Sequence, residues 1–534
     1  MILDALVILA YFAVIIGIGL SQRSKSGSVE GFTLGDRQIA WWAVLASILA
    51  AEISAGTFFG APGEGYALKN YTYIQLIVGY LLARIVVSGV FIPAYYRHNV
   101  ISVYEFLENR FGPITRKAAS FTFLVTRTLA SGTRLWVPSM LLVLAWHLHY
   151  PNVPLSPMNE FLLTGGALVF VTVATAFYTS LGGIRAVIWT DVIQIIVLVC
   201  ALSFSLMYLL GHIDGGWAGA MKLLTGEKDM AFVDWGYSKE PNATLWMNIK
   251  SVLETEYTVW AAFLGSTFVT LATHGTDQDM VQRMLTAKNK RESAKATILS
   301  GLADVPITLI VLTIGIMLWA YYQQHPDTLL PTNDKGVVFA NKVFPHFILT
   351  VMPDGMRGLV LAGVLATAMG SLSTALNALA TSYVRDFHFP VFGEPATDKG
   401  RIGVLRFGTV LFAALLIAVA LGTAWVTTHN PNLRILPIIL GIFGYTYGSL
   451  LGVFMVGLFT KTRGSDTGNI IAMIAGFIFV SYLSGLDIDV MKLINPASTL
   501  KHPDWVPIIE FPWRIMFGTI VTFLVAVSFP KRRA

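Results

Sequence analysis

Long apolar runs recur from one end of this chain to the other, separated by polar connections. Each run approaches the roughly 20 residues that an α-helix needs to cross the hydrocarbon core of a bilayer. The chain of 534 residues is 55% hydrophobic and only 13% charged, whereas soluble domains average about 25% charged residues. The sequence therefore predicts an all-α integral membrane protein with about 13 transmembrane helices, because helices satisfy their own backbone hydrogen bonds in lipid. The runs cover residues 2–20, 41–62, 72–96, 119–146, 161–181, 186–211, 252–275, 294–322, 356–383, 403–427, 435–459, 467–486 and 511–529.

The basic residues predict how the chain is oriented. Most of the 37 Lys and Arg residues lie in connections that face the cytoplasm if the N-terminus is outside, and cytoplasmic loops carry such an excess. An odd number of spans then puts the C-terminus inside. The first run is expected to be a retained helix, because it lacks the basic start of a signal peptide. We expect a multi-pass protein of the plasma or inner membrane that contacts lipid, acts as a monomer and binds no nucleic acid.

The run from Trp41 to Gly65 carries a carboxylate, Glu52, near its middle. Charge inside a membrane segment is costly and usually faces a cavity or a partner. The small and polar residues 53–57 that follow allow a helix to unwind and to free backbone carbonyls for an ion. A second segment of this kind, from Gly265 to Thr276, opens a later group of five runs from the opposite side. The pattern predicts two inverted groups of five helices, each beginning with a broken helix.

These two groups predict how the chain is divided. An extra N-terminal helix precedes the first five-helix repeat, and an outer loop separates it from the first four helices of the second repeat. The tenth core helix and extra C-terminal helices follow. The boundaries of these six parts are 1–30, 31–212, 213–251, 252–427, 428–462 and 463–534.

Two further segments carry oxygen ligands at positions that suit a cation. At 3.6 residues per turn, Thr367, Gly370, Ser371 and Thr374 form one stripe on a helix. Small residues of this kind either let helices pack closely or, with carbonyls near Ala50 and Ile53, surround a monovalent cation. Asp191 follows the glycine pair 182–183 and either complements a helix N-terminus or supplies the one negative ligand of a second cation site.

Several motifs resemble the solute:sodium symporter family, which includes sodium/glucose, sodium/proline, sialic-acid and multivitamin cotransporters. The motifs are WWAV…AAEISAGTFFG, VFIPAYYRHNVISVYEFLENRFG, SLGGIRAVIWTDVIQ, GTDQDMVQRMLTAKN, ATAMGSLSTALN and GVFMVGLFTK, in family order. This resemblance implies a LeuT-type 5+5 inverted repeat with broken first and sixth core helices. It also implies that one or two sodium ions drive each transport cycle.

The resemblance also implies ligands for these ions. The first sodium would bind to Ala50 and Ile53 of the broken helix and to Thr367, Gly370 and Ser371 of the eighth core helix. Many relatives carry a second hydroxyl where this chain has Gly370, so the first site lacks one side-chain oxygen. A second sodium would bind to Asp191, Ser373 and Thr374.

The substrate site differs from that of the sugar-transporting relatives. Thr270 and Thr273 stand where those relatives have an asparagine and a gating tyrosine, Asp304 where they have a lysine, and Phe443 near their sugar-binding glutamine. A hexose site copied from them is therefore not expected. The candidate substrate-binding residues are Glu52, Ser54, Thr57, Gln75, Arg134, Thr270, Thr273, Asp304 and Phe443.

Three alternatives are open for the arginines inside the spans. Arg134 either pairs with Glu52 or Asp304, since buried charges rarely stay alone, or binds a substrate carboxylate, as an arginine of the sialic-acid relative does. Otherwise Arg127 or Arg134 reaches the lipid interface.

His274 is either a proton carrier or a polar residue with satisfied hydrogen bonds. Asp277 and Asp279, beside Arg283, are expected to form a solvated or salt-bridged inner gate.

Together, these features predict a sodium-coupled secondary active symporter that imports a small polar organic solute by alternating access. A passive channel on the same scaffold and a membrane-embedded enzyme are the alternatives. The sequence carries no Walker loop, HExxH, GxSxG or Cys/His cluster. Neither an ATP-driven mechanism nor catalysis is therefore expected.

Overall fold

The computed structural model describes residues 2–22, 28–150, 156–332, 336–429, 441–495 and 498–530, and this part of the chain contains helices and no β-strand. Three π-helical turns, at Val87–Phe91, Ala261–Gly265 and Val384–His388, interrupt or extend these helices. The helices are α1 Ile2–Ser21, α2 Val29–Leu34, α3 Trp41–Glu52, α4 Ala55–Leu68, α5 Leu76–Val86, α6 Ile92–His98, α7 Glu105–Arg110, α8 Pro113–Arg134, α9 Trp136–His149, α10 Pro157–Gly211, α11 Gly216–Leu223, α12 Leu245–Leu253, α13 Ser266–Thr276, α14 Gln278–Met284, α15 Lys290–Gln324, α16 Ala340–Thr350, α17 Met356–Tyr383, α18 Phe389–Phe392, α19 Asp398–His429, α20 Ile442–Phe459, α21 Gly468–Leu483, α22 Leu486–Ile494 and α23 Phe511–Ser528.

Eight helices of the described residues are long and apolar enough to cross a membrane, and two bent pairs bring the number to ten. The number of predicted spans, thirteen, is larger than ten for two reasons. The runs 161–181 and 186–211 are two helices that meet at a kink at Gly183 without a loop between them, and they are labelled together as α10. The runs 119–146 and 252–275 fall on helices that are individually too short or too polar to be counted as membrane-spanning. The start of the run 435–459 lies outside the described residues.

The glycine pair 182–183 lies at the kink inside α10, where two helices meet. Gly183 has φ 58° and ψ −152°, while helix continues on both sides of it. A Cβ atom at Gly183 would collide with the carbonyl oxygen of Phe32. Only glycine adopts this left-handed conformation without strain and leaves room for the neighbouring backbone. The chain therefore changes direction here without a loop.

The predicted break after Glu52 is confirmed. α3 ends at Glu52, α4 follows, and the two helices are bent by 65°. Ile53 between them is extended, with φ −82° and ψ 93°. Ser54 caps α4, because its Oγ accepts a hydrogen bond from the backbone N–H of Thr57. The last carbonyls of α3 are thereby left without helical partners.

The second break lies at the end of the predicted segment Gly265 to Thr276. Asp277 is extended, with φ −84° and ψ 122°, and its side chain caps α14 by accepting from the N–H of Asp279. The small polar residues before it remain helical, because Thr267 and Thr276 donate to carbonyls one turn earlier. The cap, and not the run of small residues, therefore sets the position of this break.

The break between α3 and α4 lies where two apolar cores meet. Ala43, Val44 and Ile48 belong to a core formed with α5, α8, α17 and α20. Leu49 and Ala50 belong to a second core formed with α4, α15 and α16. α17 packs extensively against α10 and also contacts α3. The unwound residues are therefore held in the interior and not at the lipid-facing surface.

Candidate functional site

A cavity of about 290 Å³ lies beside the break between α3 and α4. Residues of α5, α8, α13, α15, α17, α20 and α23 complete its walls. Eight of the nine predicted substrate-binding residues line it, namely Glu52, Ser54, Thr57, Arg134, Thr270, Thr273, Asp304 and Phe443. The fold therefore brings together residues that lie nearly 400 positions apart in the sequence.

Gln75 is the predicted residue that does not line the cavity. Its Nε2 donates to the backbone carbonyls of Thr72, at 3.0 Å, and Tyr257, at 3.3 Å. Its Oε1 accepts from the N–H of Asp234 at 3.4 Å. Gln75 thus connects the start of α5 to the segments that follow α11 and α12, which is a structural role.

Glu52 is neutralised by Arg84, a residue of α5 that the sequence did not identify as its partner. The guanidinium of Arg84 forms an ion pair with Glu52 and donates to Ser300 Oγ at 3.0 Å. Arg84 is completely buried. The signal in the sequence was a single arginine inside the apolar run 72–96, because an intramembrane charge requires a partner.

His274 lies between two polar groups in the wall of the cavity. Its Nε2 is 3.1 Å from Glu52 Oε1, and its Nδ1 is 3.1 Å from Thr273 Oγ1. Neither the proton-carrier nor the polar-residue prediction for His274 is decided by these contacts, since Nε2 makes no hydrogen bond among the described residues. Arg84 and His274 therefore both approach the same carboxylate oxygen of Glu52, Oε1.

Arg134 forms no ion pair within 4 Å among the described residues. Its guanidinium carbon lies 5.0 Å from the centre of the Phe443 ring, and both residues line the cavity. The predicted pairing of Arg134 with Glu52 or Asp304 is therefore wrong, because Arg84 occupies the position beside Glu52. The lipid-interface alternative is wrong as well, because Arg127 and Arg134 both face the interior.

Asp304 is the carboxylate counterpart of Arg134. It lines the same cavity from α15 and, within the described ranges, forms neither an ion pair nor a hydrogen bond. The cavity thus presents one guanidinium group and one carboxyl group that have no ion-pair partner within 4 Å in the described part of the chain. Hydroxyl groups from α4 and α13 also line the cavity, at Thr57, Thr270 and Thr273.

A buried ionic network lies on one side of the cavity, where α13 ends. Arg127 pairs with Asp277, at 3.3 Å, and with Asp279. Tyr447 donates to Asp277 Oδ2 at 2.7 Å, and Arg283 pairs with Asp279 at 3.1 Å. All of these residues are buried. The sequence predicted that Asp277 and Asp279 are either solvated or salt-bridged. In the structure, both are salt-bridged.

The residues predicted for the first sodium ion lie together between α3 and α17. Ile53, Thr367 and Ser371 line the cavity, and a Cβ atom at Gly370 would be 3.3 Å from the carbonyl oxygen of Ala50. The hydroxyl of Ser371 is buried and has no hydrogen-bond partner in the described part of the chain. Thr367 donates to its own helix at 2.7 Å and keeps its lone pairs free.

The residues predicted for a second sodium ion lie deeper between α10 and α17. Asp191 is fully buried, accepts from Ser47 Oγ at 2.5 Å, and lies 3.7 Å from Arg283 Nη1. Ser373 and Thr374 donate to carbonyls of α17 at 3.1 and 3.0 Å, which leaves their lone pairs available. Asp191 lies about two turns beyond Gly183, whereas a helix terminus acts within one turn. The helix-terminus alternative for Asp191 is therefore not favoured.

A family model described as the sodium:solute symporter family matches residues 32–476. This chain belongs to that family. The resemblance seen in the sequence motifs is thereby confirmed. Membership makes the protein a sodium-coupled, multi-pass membrane transporter of a small molecule and not an enzyme.

Similar proteins support this membership over most of the chain. A sodium/sialic acid symporter, NanT, of Aliivibrio fischeri is 27% identical over 91% of this chain and 89% of its own length. A sodium-dependent multivitamin transporter of Oryctolagus cuniculus is 27% identical over 98% of this chain and 76% of its own length. A solved Na+-coupled sialic acid symporter in a substrate-bound, outward-open state superposes with a TM-score of 0.77 at 20% identity, covering 100% of this chain and 99% of the other. The LeuT-type fold predicted from the sequence is therefore confirmed.

Proposed function

We propose that this symporter imports a small dipolar organic solute, whose carboxylate binds to Arg134. The observation that carries the proposal is the unpaired guanidinium of Arg134 in the cavity wall. A buried cation without a counterion is unfavourable, and a bound anion removes that cost. Guanidinium groups bind carboxylates through two parallel hydrogen bonds. The similarity to proteins named as sialic acid symporters supports this assignment, because sialic acid carries a carboxylate.

Asp304 is proposed to bind the opposite end of the solute. Its carboxylate accepts hydrogen bonds only, so it favours a cationic group or an N–H or O–H donor. The hydroxyls of Ser54, Thr57, Thr270 and Thr273 would bind neutral polar groups between the two charges. The volume of about 290 Å³ is at the low end of the range for small-molecule sites, which favours a solute of modest size.

Sodium is proposed to bind at two sites beside this cavity. The first site comprises Ala50, Ile53, Thr367, Gly370 and Ser371, and the second comprises Asp191, Ser373 and Thr374. α3 and α17 contribute both to the first site and to the cavity wall. Sodium binding would thus order the same backbone break that contacts the solute, which couples the two affinities reciprocally. Each inward charge yields about 2.3 kcal/mol per 100 mV of membrane potential.

The remaining expectations concern the protein in its membrane. We propose that it acts as a monomer in the lipid of the plasma or inner membrane, with its N-terminus outside and its C-terminus inside. The distribution of Lys and Arg supports this orientation. Three of these basic residues, at positions 531–533, lie outside the described residues.

Uptake into proteoliposomes tests the proposed solute. Under an inward sodium gradient, the wild type is expected to accumulate a radiolabelled amino or hydroxy carboxylate from a panel, and its methyl ester is not expected to be taken up. Arg134→Gln should reduce uptake at least about tenfold, and Arg134→Lys should retain more of it. Accumulation of a neutral sugar that is unaffected by Arg134→Gln would contradict the proposal. Equilibration without accumulation would favour the passive channel.

A further inference from the structure

A second cavity, which we call the apolar pocket, lies between α1, α9, α10 and α17. Its volume is about 130 Å³, and all of the described side chains that line it are apolar. No residue proposed to bind the solute or a sodium ion belongs to its lining. The proposed function therefore does not account for this pocket.

The size and the lining of the apolar pocket limit what it can bind. Protein interiors are close-packed and contain few voids larger than a water molecule. An apolar cavity of about 150 Å³ excludes water and binds a ligand of the size of benzene. A polar ligand would lose its hydrogen bonds to water among hydrocarbon side chains. The apolar pocket therefore suits a hydrocarbon group of about six carbon atoms.

The rim of the apolar pocket continues into the surface that faces the bilayer. Ile8 of α1 lines the pocket, and the adjacent Leu9 is 63% exposed. Val171 of α10 lines it as well, and the adjacent Phe170 is 59% exposed. Both helices are long and apolar enough to cross a membrane, so their exposed apolar side chains contact the hydrocarbon of the lipids. Acyl chains are therefore the hydrocarbon nearest to the pocket.

One wall of the apolar pocket is shared with the cavity that is proposed to bind the solute. Leu135 and Ala368 line both, and each of them is 5% exposed. Leu135 directly follows Arg134 in the sequence, and Ala368 directly follows Thr367. A group that fills the apolar pocket would thus support the wall that carries proposed solute and sodium contacts.

We propose that one acyl chain of a membrane phospholipid occupies the apolar pocket and packs against Leu135 and Ala368. The shared wall stands between the pocket and the solute, whereas the rim adjoins lipid, so the chain enters from the bilayer. The lipid then forms part of the support of the solute-binding cavity, whichever solute is carried. A side chain that fills the pocket should replace the acyl chain and remove the requirement for it.

Photolabelling of the full-length protein tests where the acyl chain lies. The protein is placed in nanodiscs of palmitoyl-oleoyl phosphatidylcholine that contain a phosphatidylcholine with a diazirine near the middle of one acyl chain. After irradiation, mass spectrometry is expected to find the label on Leu168 and Leu365, which line the pocket. Val171→Phe fills the pocket and should reduce this labelling at least about fivefold, because each displaced methylene contributes several-fold to affinity. Val173→Phe, the matched control at a 56% exposed position of the same helix, should retain the labelling.

The melting temperature of the delipidated protein provides a second measurement. Dioleoyl phosphatidylcholine added in dodecyl maltoside should stabilise the wild type and Val173→Phe, since a ligand of the native state stabilises that state. Val171→Phe should melt at a higher temperature than the wild type before lipid is added, and lipid should then raise its melting temperature much less. If Val171→Phe does not fold, Ala167→Leu replaces it, because residue 167 also lines the pocket.

Three outcomes would overturn the proposal. The first is an absence of label at the pocket in the wild type, or equal labelling of Leu365 in Val171→Phe and Val173→Phe. The second is an equal effect of lipid on the melting temperatures of these two variants. The third is unchanged labelling together with a selective loss of uptake of longer-chain carboxylates in Val171→Phe, which would assign the pocket to an apolar group of the solute. Labelling and melting require neither sodium nor solute, so they fail or succeed independently of the proposed function.

Discussion

At the scale of single residues, two arginines of the membrane interior differ in what neutralises them. Arg84 is completely buried and is held by Glu52 and Ser300. Arg134 faces the cavity beside the ring of Phe443 and forms no ion pair within 4 Å among the described residues. A charge that is ion-paired within the protein stabilises the fold, whereas a charge without an ion-pair partner is available to a ligand. The same residue type therefore serves two purposes about 50 positions apart in the sequence.

The first prediction concerns the structural arginine. Arg84→Met leaves Glu52 with His274 as its remaining partner, and breaking a buried ion pair from one side costs about 3–5 kcal/mol. The double variant Arg84→Met/Glu52→Gln removes both charges and should recover most of that loss. The melting temperature of the purified protein in detergent measures both effects. Equal destabilisation in the single and double variants would contradict the assignment of Arg84 as the partner of Glu52.

The sequence predicted the residues that line the cavity more successfully than it predicted the ion pairs between them. Glu52, Arg134 and Asp304 stood out because charges inside apolar runs must face a cavity or a partner. The partner of Glu52 depends on how each helix is rotated and on how deeply it lies. Those quantities are fixed by packing between helices that are distant in the sequence. A one-dimensional pattern does not contain them.

At the scale of helices, the two breaks arise from different local chemistry. Between α3 and α4, Ile53 is extended and Ser54 caps the second helix. The sequence predicted this position because small residues follow Glu52. Between α13 and α14, the carboxylate of Asp277 provides the cap. The sequence placed this break among the preceding small residues, because threonine can either interrupt a helix or bond back to it, and here it bonds back.

The second prediction concerns the bend within α10. Gly183→Ala introduces a Cβ atom at a positive φ and against the carbonyl of Phe32, so it should destabilise the protein by at least about 1 kcal/mol and lower its expression. Gly166→Ala on the same helix meets nothing within 4 Å and is the matched control. Alanine is expected to be neutral or slightly stabilising there. Similar melting temperatures for the two variants would show that the bend tolerates a side chain.

At the scale of the whole molecule, one broken helix borders both the cavity and the proposed sodium sites. α3 lies between two apolar cores and ends at the cavity. Its last turn contributes Glu52 to the cavity, and its carbonyls approach α17 at Gly370. The buried ionic network around Arg127 and Arg283 closes the space between α8, α14 and α20. Release of the solute on that side would require the network to separate, and its charges would then face water.

The last prediction concerns how many sodium ions bind in each cycle. Asp191 is fully buried, and its Oδ1 has no partner among the described residues. If it holds a second sodium, uptake should depend on sodium concentration with a Hill coefficient above one. Asp191→Asn keeps the shape and can still accept from Ser47, but it lacks the charge. The curve should become hyperbolic in this variant, while sodium still drives uptake.

Two measurements make this prediction decisive. Asp386→Asn is the control, since Asp386 is also buried but pairs with Arg116 at 2.7 Å, remote from the cavity lining. Its sodium curve should keep the wild-type shape. Because a tightly bound second ion can hide behind a hyperbolic curve, the charge moved per solute molecule is measured as well. The ratio should fall by one charge in Asp191→Asn, and an unchanged ratio would assign Asp191 to the structural support of Arg283 and Ser47 alone.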